Sequence, residues 1–438
     1  MTKEEKYTLA KWAMNYALEK GASQACVSIS DNRSSDVDIR EKKIDTLKEA
    51  IQSKMTIYLY VDKKYSAIST NRLDKEELAR FIGQGIESTR FLAEDEFRTL
   101  PDPELYYKGG GPDLQTTDPA FDSVEAKTKI DITFKVEDEI YKKDDRILSV
   151  TASYSDGISS RIMVASNGFE GDSASSYYYL SAQVTVKGGE ARPEAYDYRM
   201  SVTFDELGKT GIAETALKRA LEKIGQSKIG SGKYTMLVEN RQVSRILDPV
   251  ISALDGSSIQ QKNSFMIDKM DQKFGSSKLN LTDDPFIIGG RGSRLFDPEG
   301  MATKKRTVFG QGVLKTYFID TYYGKKLGMA PNSGGTTNLV LEPGEKDLES
   351  MMKSMKKGIL VTGFNGGNCN SSTGDFSYGI EGFLIENGEK IKPVSEMNIT
   401  GNMHSLWANL VEAGSDVLLD SSWRMPSLLF EGVDFSGM

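Results

Sequence analysis

The chain has 438 residues, and its 55 Lys and Arg residues stand against 63 Asp and Glu residues, for a formal net charge of −8. This length predicts two or three domains that can each bury a core, and 38% hydrophobic with 27% charged residues is typical of a soluble globular protein. The negative charge disfavours a dedicated nucleic-acid binder, which normally carries a basic face.

The first half of the chain alternates between helical and strand-like segments. Thr2 and Glu5 have the spacing of a capping box ahead of an apolar helical stripe, and Asp74 precedes a second amphipathic segment. Further helices are predicted at about 121–143 and 205–226. Strands are predicted at 26–30, 55–61, 65–70, 147–155, 159–166, 174–187 and 194–204, with turns between them that include Asp156-Gly157.

Composition divides the chain into two parts. Residues 1–226 hold 14 of the 41 glycines and residues 227–438 hold 27, which predicts a strand- and turn-rich second part. We therefore predict an α+β fold, in which a mixed α/β N-terminal domain over 1–226 is followed by a Gly-rich, mostly β domain over 232–438. The Pro- and Gly-rich segment 95–118 is a candidate internal boundary of the first domain. No internal repeat is evident.

The sequence contains few groups that could build a metal site or activate a nucleophile. His404 is the one histidine, and with Cys26 and Cys369 it leaves little from which to form a zinc site of two or three imidazoles. Cys369 and His404 are the one available thiol–imidazole pair, but no neighbouring residue indicates an activated thiol. The basic run Lys304-Lys305-Arg306 is interpreted as a solvated face.

The sequence shows neither a membrane span nor a secretory signal. No apolar run approaches the ~18 residues of a transmembrane helix, and the segment MTKEEKYTLAKW at the N-terminus lacks the apolar core of a signal peptide. Two cysteines are too few for a disulfide framework, which fits a reducing compartment. We therefore expect a cytoplasmic protein that does not bind membranes.

The segment 374–382 alternates small, polar and aromatic residues ahead of an apolar run. One interpretation is a strand with an open edge that accepts an extended peptide by main-chain pairing. The other is an interior strand whose glycines let a neighbouring strand approach closely. The sequence alone does not decide between them, and the first interpretation makes Asp375 and Ser377 candidate substrate-binding residues.

Several motifs resemble those of the TldD/PmbA family, whose members have been described as modulators of DNA gyrase and are associated with a peptide-cleaving metalloprotease. The resemblance covers most of the chain and is most specific over 283–402. The motifs that carry it are DDPFIIGGRGSRLFDPEG at 283–300, GQGVL at 310–314, TNLVLEPG at 337–344, GDFS at 374–377, IENG at 385–388, and PV at 393–394 leading to ITGN at 399–402.

In this family the active subunit resembles a zinc peptidase, in which a helix carries H-E-x-x-x-H and a cysteine near the C-terminus completes the metal site. When this chain is aligned on 254–256, the two histidine positions become Leu247 and Ser252, and the glutamate position becomes Asp248. The segment 418–423 contains no cysteine. This pattern is similar to the PmbA branch, also called TldE, which is the companion subunit without a metal.

The resemblance implies a barrel-like C-terminal domain and a subunit of a cytosolic TldD/TldE-type complex that acts on peptides or unfolded polypeptides without hydrolysing them itself. It implies that zinc belongs to a TldD-like partner and not to this chain, and that the chain forms a homodimer in isolation. Two alternatives stay open. One is a self-sufficient peptidase that uses Cys369, or Asp375 with another carboxylate, and the other is a regulatory protein of the "modulator of DNA gyrase" type.

Overall fold

The structure, a computed structural model, describes residues 1–437 and combines helices with long strands. The helices are α1 (Lys3–Glu19), α2 (Lys75–Thr89), α3 (Ala126–Asp138), α4 (Ile212–Glu222), α5 (Val243–Ser252), α6 (Gly256–Gln260), α7 (Thr321–Leu327), α8 (Leu348–Ser354) and α9 (Met403–Ala408). Short 3-10 turns lie at Pro103–Leu105, Phe121–Ser123 and Asn240–Gln242.

The strands fall into an N-terminal and a C-terminal set. The first comprises β1 (Gln24–Arg40), β2 (Lys43–Val61), β3 (Lys64–Thr70), β4 (Ile147–Ala165), β5 (Glu170–Val186) and β6 (Glu194–Ser201). The second comprises β7 (Gly232–Val238), β8 (Leu281–Asp283), β9 (Arg306–Gly310), β10 (Val313–Leu314), β11 (Leu339–Leu341), β12 (Lys357–Cys369), β13 (Asp375–Glu386), β14 (Glu389–Asn402), β15 (Leu410–Ala413), β16 (Trp423–Arg424) and β17 (Leu428–Ser436).

The N-terminal strands form one antiparallel sheet in the order β3-β2-β1-β4-β5-β6. Its two halves have the same order of elements, α1-β1-β2-β3-α2 and α3-β4-β5-β6-α4, and they join where β1 pairs with β4. The helices pack on one face of the sheet, α1 and α2 over one end and α3 and α4 over the other. Part of the opposite face packs against the loop that contains Leu295 and Phe296 of the C-terminal half.

The predicted turn at Asp156-Gly157 is wrong, because β4 continues through both residues. Gly157 pairs with Tyr177 on β5, and a Cβ atom at Gly157 would lie 2.6 Å from the Tyr177 ring, so the glycine makes room for an aromatic side chain. Asp156 is buried, and its carboxylate lies 2.6 Å from Lys129 Nζ on α3. The predicted helices at 121–143 and 205–226 form, but α3 and α4 are shorter than predicted.

A closed barrel forms the centre of the C-terminal half. Its five strands are hydrogen-bonded in the order β14-β13-β12-β7-β17. The ring closes because β14 pairs with both β13 and β17. Beside the barrel lies a sheet of short strands in the order β10-β9-β8-β11-β16, and α5 packs on the core that these strands share. The α+β fold with a Gly-rich, mostly β, barrel-like C-terminal half is therefore confirmed.

The division into domains 1–226 and 232–438 stays a prediction, as does the internal boundary at 95–118. The segment 95–118 connects α2 to the second half of the N-terminal sheet. Among residues 1–437, no helix has both the length and the apolar character needed to cross a bilayer.

Candidate functional site

Helix α5 carries the residues that align with the family's zinc motif. Its apolar residues recur at helical spacing and face the core: Val243, Ile246, Leu247 and Val250. Leu247 is 0% exposed, whereas Asp248 and Ser252 are exposed on the other side of the helix. The three aligned positions therefore do not share one environment, because the first is part of the hydrophobic core.

Strand β13 is an interior strand, so the interpretation of 374–382 as an open edge is wrong. It pairs with β12 on one side and with β14 on the other. A Cβ atom at Gly379 would lie 2.3 Å from the Asn365 carbonyl oxygen, and one at Gly382 would lie 1.9 Å from the Leu360 carbonyl oxygen. The glycines are therefore required for the close approach of β12, as the second interpretation predicted.

Asp375 and Ser377 both lie exposed at the start of β13. The Asp375 carboxylate accepts hydrogen bonds from Asn402 Nδ2 at 2.9 Å and from Thr373 Oγ1 at 2.7 Å. These two bonds stabilise the charged form and lower the pKa of Asp375. Nothing in this geometry shows what the two side chains bind, so their role in substrate binding stays a prediction.

The structure brings this end of β13 close to the exposed side of α5. Arg245 of α5 donates a hydrogen bond to the Gly367 carbonyl oxygen at 2.9 Å, and its guanidinium carbon lies 4.9 Å from the centre of the Tyr378 ring. Gly367 has a φ of +82°, and a Cβ atom there would lie 2.1 Å from the Ser377 carbonyl oxygen. The bulge of β12, the start of β13 and α5 therefore form one continuous surface.

Cys369 lies on this surface but is not set up as a nucleophile. Burial and the neighbouring Asp375 carboxylate raise the pKa of the Cys369 thiol to about 11, opposite to the shift that a reactive cysteine needs. Its Sγ donates to the Asn370 carbonyl oxygen at 3.7 Å, while the His404 ring contacts the Phe274 ring edge-on. Among the described residues, Cys369 and His404 share no hydrogen bond, so the dyad gains no support.

Carboxylates continue from the exposed Asp248 of α5 toward the N-terminal half through the partly buried Asp255, Asp320 and Glu299, and we call these four residues the carboxylate row. Burial raises the pKa of Asp255 to about 6, with further contributions from Asp248 and Asp320. Burial likewise raises the pKa of Glu299 to about 7, and one Glu299 oxygen accepts a hydrogen bond from Thr321 N at 3.0 Å. The sequence reasoning missed Asp255, Asp320 and Glu299 as members of a group.

The side chains at the aligned zinc positions do not fit a zinc ion. Leu247 offers a buried hydrocarbon in place of an imidazole, and Ser252 offers a neutral hydroxyl, which is a poor zinc ligand. Within residues 1–437, no three His, Cys, Asp or Glu side chains lie close enough together to hold a metal ion.

Comparison with known protein families gives matches along most of the chain. Residues 27–89 match the PmbA/TldA metallopeptidase domain 1, residues 119–224 match the central domain, and residues 231–437 match the C-terminal domain. A protein of Haemophilus influenzae described as a metalloprotease PmbA homolog is 26% identical over 433 residues, which cover 97% of this chain and 95% of the relative.

Solved structures agree with this assignment. A crystal structure of a putative modulator of DNA gyrase from Bacteroides thetaiotaomicron is 52% identical and superimposes with a TM-score of 0.98 over all of both chains. TldE from Thermococcus kodakarensis has the same fold, with a TM-score of 0.87 at 19% identity over 98% of this chain and all of the TldE chain. The chain therefore belongs to the PmbA/TldD family and, within it, is PmbA/TldE-like.

Proposed function

We propose that this chain is the non-catalytic subunit of a TldD/TldE-type metalloprotease complex that acts on peptides or unfolded polypeptides. The observation that carries the proposal is the burial of Leu247, since the position of a zinc-binding histidine is part of the hydrophobic core. A catalytic zinc ion then has to come from a TldD-like partner subunit. We expect the complex to work in the cytoplasm and this chain to form a homodimer when the partner is absent.

The surface between α5 and the start of β13 is where we propose that this chain contacts the peptide. β7 pairs with β12 over Gly358–Val361, and beyond Val361 the described pairs of β12 are with β13 alone. The far end of β12 therefore has a backbone edge that an extended peptide could pair with. Asp375 and Ser377 lie exposed on the neighbouring strand β13, where Ser377 pairs with Asn368 of β12, and we propose that they bind the side chains of the peptide.

The decisive experiment measures bound zinc and peptide hydrolysis for the purified protein, alone and mixed with the TldD-like chain of its own organism. We expect no stoichiometric zinc and no hydrolysis for this chain alone, and hydrolysis in the mixture. Stoichiometric zinc or hydrolysis by this chain alone would falsify the proposal. Zinc content is measured independently of activity, so an unsuitable peptide does not obscure the result.

The proposed peptide surface has its own test in the mixture. Asp375→Ala removes an exposed carboxylate and should raise the KM for a peptide several-fold while leaving kcat nearly unchanged, because it affects binding of the substrate rather than the chemistry. Asp145→Ala, at an exposed aspartate of the N-terminal half, is the matched control and should change neither constant. An unchanged KM for Asp375→Ala would remove Asp375 from the peptide surface.

A further inference from the structure

A cavity of about 450 Å³ lies between α4 and the outer wall of the barrel. One side is a single face of α4, which presents Thr215, Lys218, Arg219, Glu222 and Lys223 at helical spacing. Strands β6 and β12 to β14, the 3-10 turn Asn240–Gln242 and helix α8 supply the other sides. This volume is within the range of small-molecule sites in proteins.

Ion pairs across the cavity hold α4 at a fixed distance from the barrel. Lys223 Nζ lies 2.6 Å from Glu381 Oε1 on β13, and Glu222 Oε2 lies 3.0 Å from Lys390 Nζ on β14. Lys223 also donates to the backbone carbonyl oxygen of Glu194 at 2.8 Å, which ties the same side chain to β6. These contacts therefore join the two walls of the cavity, α4 and the barrel, and keep the space between them open.

The floor of the cavity is apolar, although its rim is charged. Leu360 and Phe383 point outward from the barrel, where they form a small hydrophobic cluster with residues of α8, and Met352 packs against that cluster. Lys390 Nζ lies 4.3 Å from the centre of the Phe383 ring, so the floor and the charged rim adjoin directly. A ligand that fits both must combine an apolar part with a charged part.

The charges of the wall show which sign the ligand must carry. Every carboxylate of the wall has a basic partner: Glu222 with Lys390, Glu239 with Arg219, Glu349 with Lys353, and Glu381 with Lys223. Lys218 lines the same cavity as an exposed residue, and none of the ion pairs described within residues 1–437 includes it. The uncompensated charge of the wall is therefore positive.

We propose that this cavity binds a small organic carboxylate with an apolar tail, whose carboxylate pairs with Lys218 and whose tail lies on Leu360 and Phe383. Both a medium-chain fatty acid and the C-terminal end of a short apolar peptide have this chemistry. The site contains neither a residue of α5 nor the start of β13, and it adjoins the proposed peptide surface at Thr362 of β12. It is therefore a second binding site beside that surface, and its ligand does not depend on the proposed function.

Isothermal titration of the purified protein with octanoate and with N-acetyl-leucyl-leucine tests the proposal and distinguishes the two sources of carboxylate. We expect saturable 1:1 binding of at least one of them and no saturable binding of octylamine, whose charge is reversed. Lys218→Glu should weaken the binding about tenfold or more, since it replaces the attraction by repulsion. Lys135→Glu, at an exposed lysine of α3, should leave it unchanged.

A second variant tests the place of binding independently of charge. Thr362 lies on the cavity wall, and Thr362→Trp should fill the cavity and abolish binding while the circular dichroism spectrum stays that of the unmodified protein. The proposal is overturned if neither carboxylate binds saturably at millimolar concentration, or if Lys218→Glu binds as tightly as the unmodified chain. Equal binding of octylamine would also overturn it.

Discussion

The buried Asp283 and the carboxylate row, both in the C-terminal half, have opposite surroundings. Asp283 is 0% exposed, and it is matched by Arg306, whose Nε donates to it at 2.9 Å, and by Thr337, which donates from N and Oγ1 at 2.6 Å each. Asp255 and Glu299 of the carboxylate row have no basic partner among the described ion pairs. Burial and like charges raise their pKa values to about 6 and about 7.

The ion pair of Asp283 with Arg306 stabilises the fold, whereas the unpaired carboxylates of the carboxylate row lower stability. The Arg306 guanidinium also donates to the carbonyl oxygens of Asn332 and Gly335 at 2.6 Å each, so with Asp283 it fixes the loop that contains both residues. The carboxylate row stabilises no such loop through a cation. Because buried, unmatched carboxylates oppose folding at neutral pH and cluster at functional sites, the row beside α5 is a candidate for function rather than for stability.

The largest expected effect on stability comes from breaking the ion pair of Asp283 and Arg306. Asp283→Ala leaves the Arg306 guanidinium buried without a carboxylate, and we expect the free energy of unfolding to fall by about 3–5 kcal/mol. Urea denaturation followed by circular dichroism measures this loss. As a control, Asp271→Ala breaks an exposed pair with Lys315 and should lower stability by no more than about 1 kcal/mol. Equal effects of the two substitutions would contradict the structural role of Asp283.

Neutralising a carboxylate of the carboxylate row should raise the free energy of unfolding instead of lowering it. Because the folded-state pKa of Glu299 is raised from 4.5 to about 7, its contribution to stability is fully present below pH 4.5 and is lost as the pH rises through about 7. Glu299→Gln removes the charge but keeps an acceptor for Thr321 N. We expect it to raise the free energy of unfolding by about 2 kcal/mol at pH 8, after allowance for solvent screening, and by almost nothing at pH 4.5.

Urea denaturation of both proteins at the two pH values measures this difference. Glu214→Gln, at an exposed glutamate of α4 that pairs with Lys143, is a control that should not become more stable at pH 8. A Glu299→Gln protein that is less stable at pH 8 than the unmodified chain would mean that the carboxylate is needed in its charged form.

Local patterns predicted those features of the fold that depend on neighbours in sequence. The capping box of α1 forms between Thr2 and Glu5, and Asp74 accepts from backbone N–H groups at the start of α2, as predicted. The two α-β-β-β-α halves of the N-terminal sheet were not evident as a repeat. Their similarity lies in the order of the elements and in which face is buried, and many different side chains satisfy both.

The site was predictable only in part, because burial and charge pairing are tertiary properties. The aligned motif identified α5 and Leu247, and the structure explains in physical terms why Leu247 cannot be a ligand. The interpretation of Lys304-Lys305-Arg306 as a solvated face is wrong for Arg306, which is partly buried against Asp283. Likewise, Asp255 and Asp320 are 65 residues apart in sequence, and nothing in either local segment indicates that their charges interact.

The smallest expected effect concerns Asp255, the member of the carboxylate row that follows α5 in sequence. Asp255→Asn removes a carboxylate whose pKa is raised from 3.8 to about 6, so its stabilising contribution below pH 3.8 is already lost at pH 7. We expect the substitution to raise the free energy of unfolding by about 1 kcal/mol at pH 7, with little change near pH 4, because Asp255 is less buried than Glu299 and better screened by solvent. Combining Asp255→Asn with Glu299→Gln should give close to the sum of the two gains, because each substitution removes its own repulsion with Asp320 and neither carboxylate is among the charges that raise the pKa of the other. A gain well below the sum would mean that Asp255 and Glu299 repel each other directly, whereas in the contrasting pair of Asp283 and Arg306 the coupling is between opposite charges in contact.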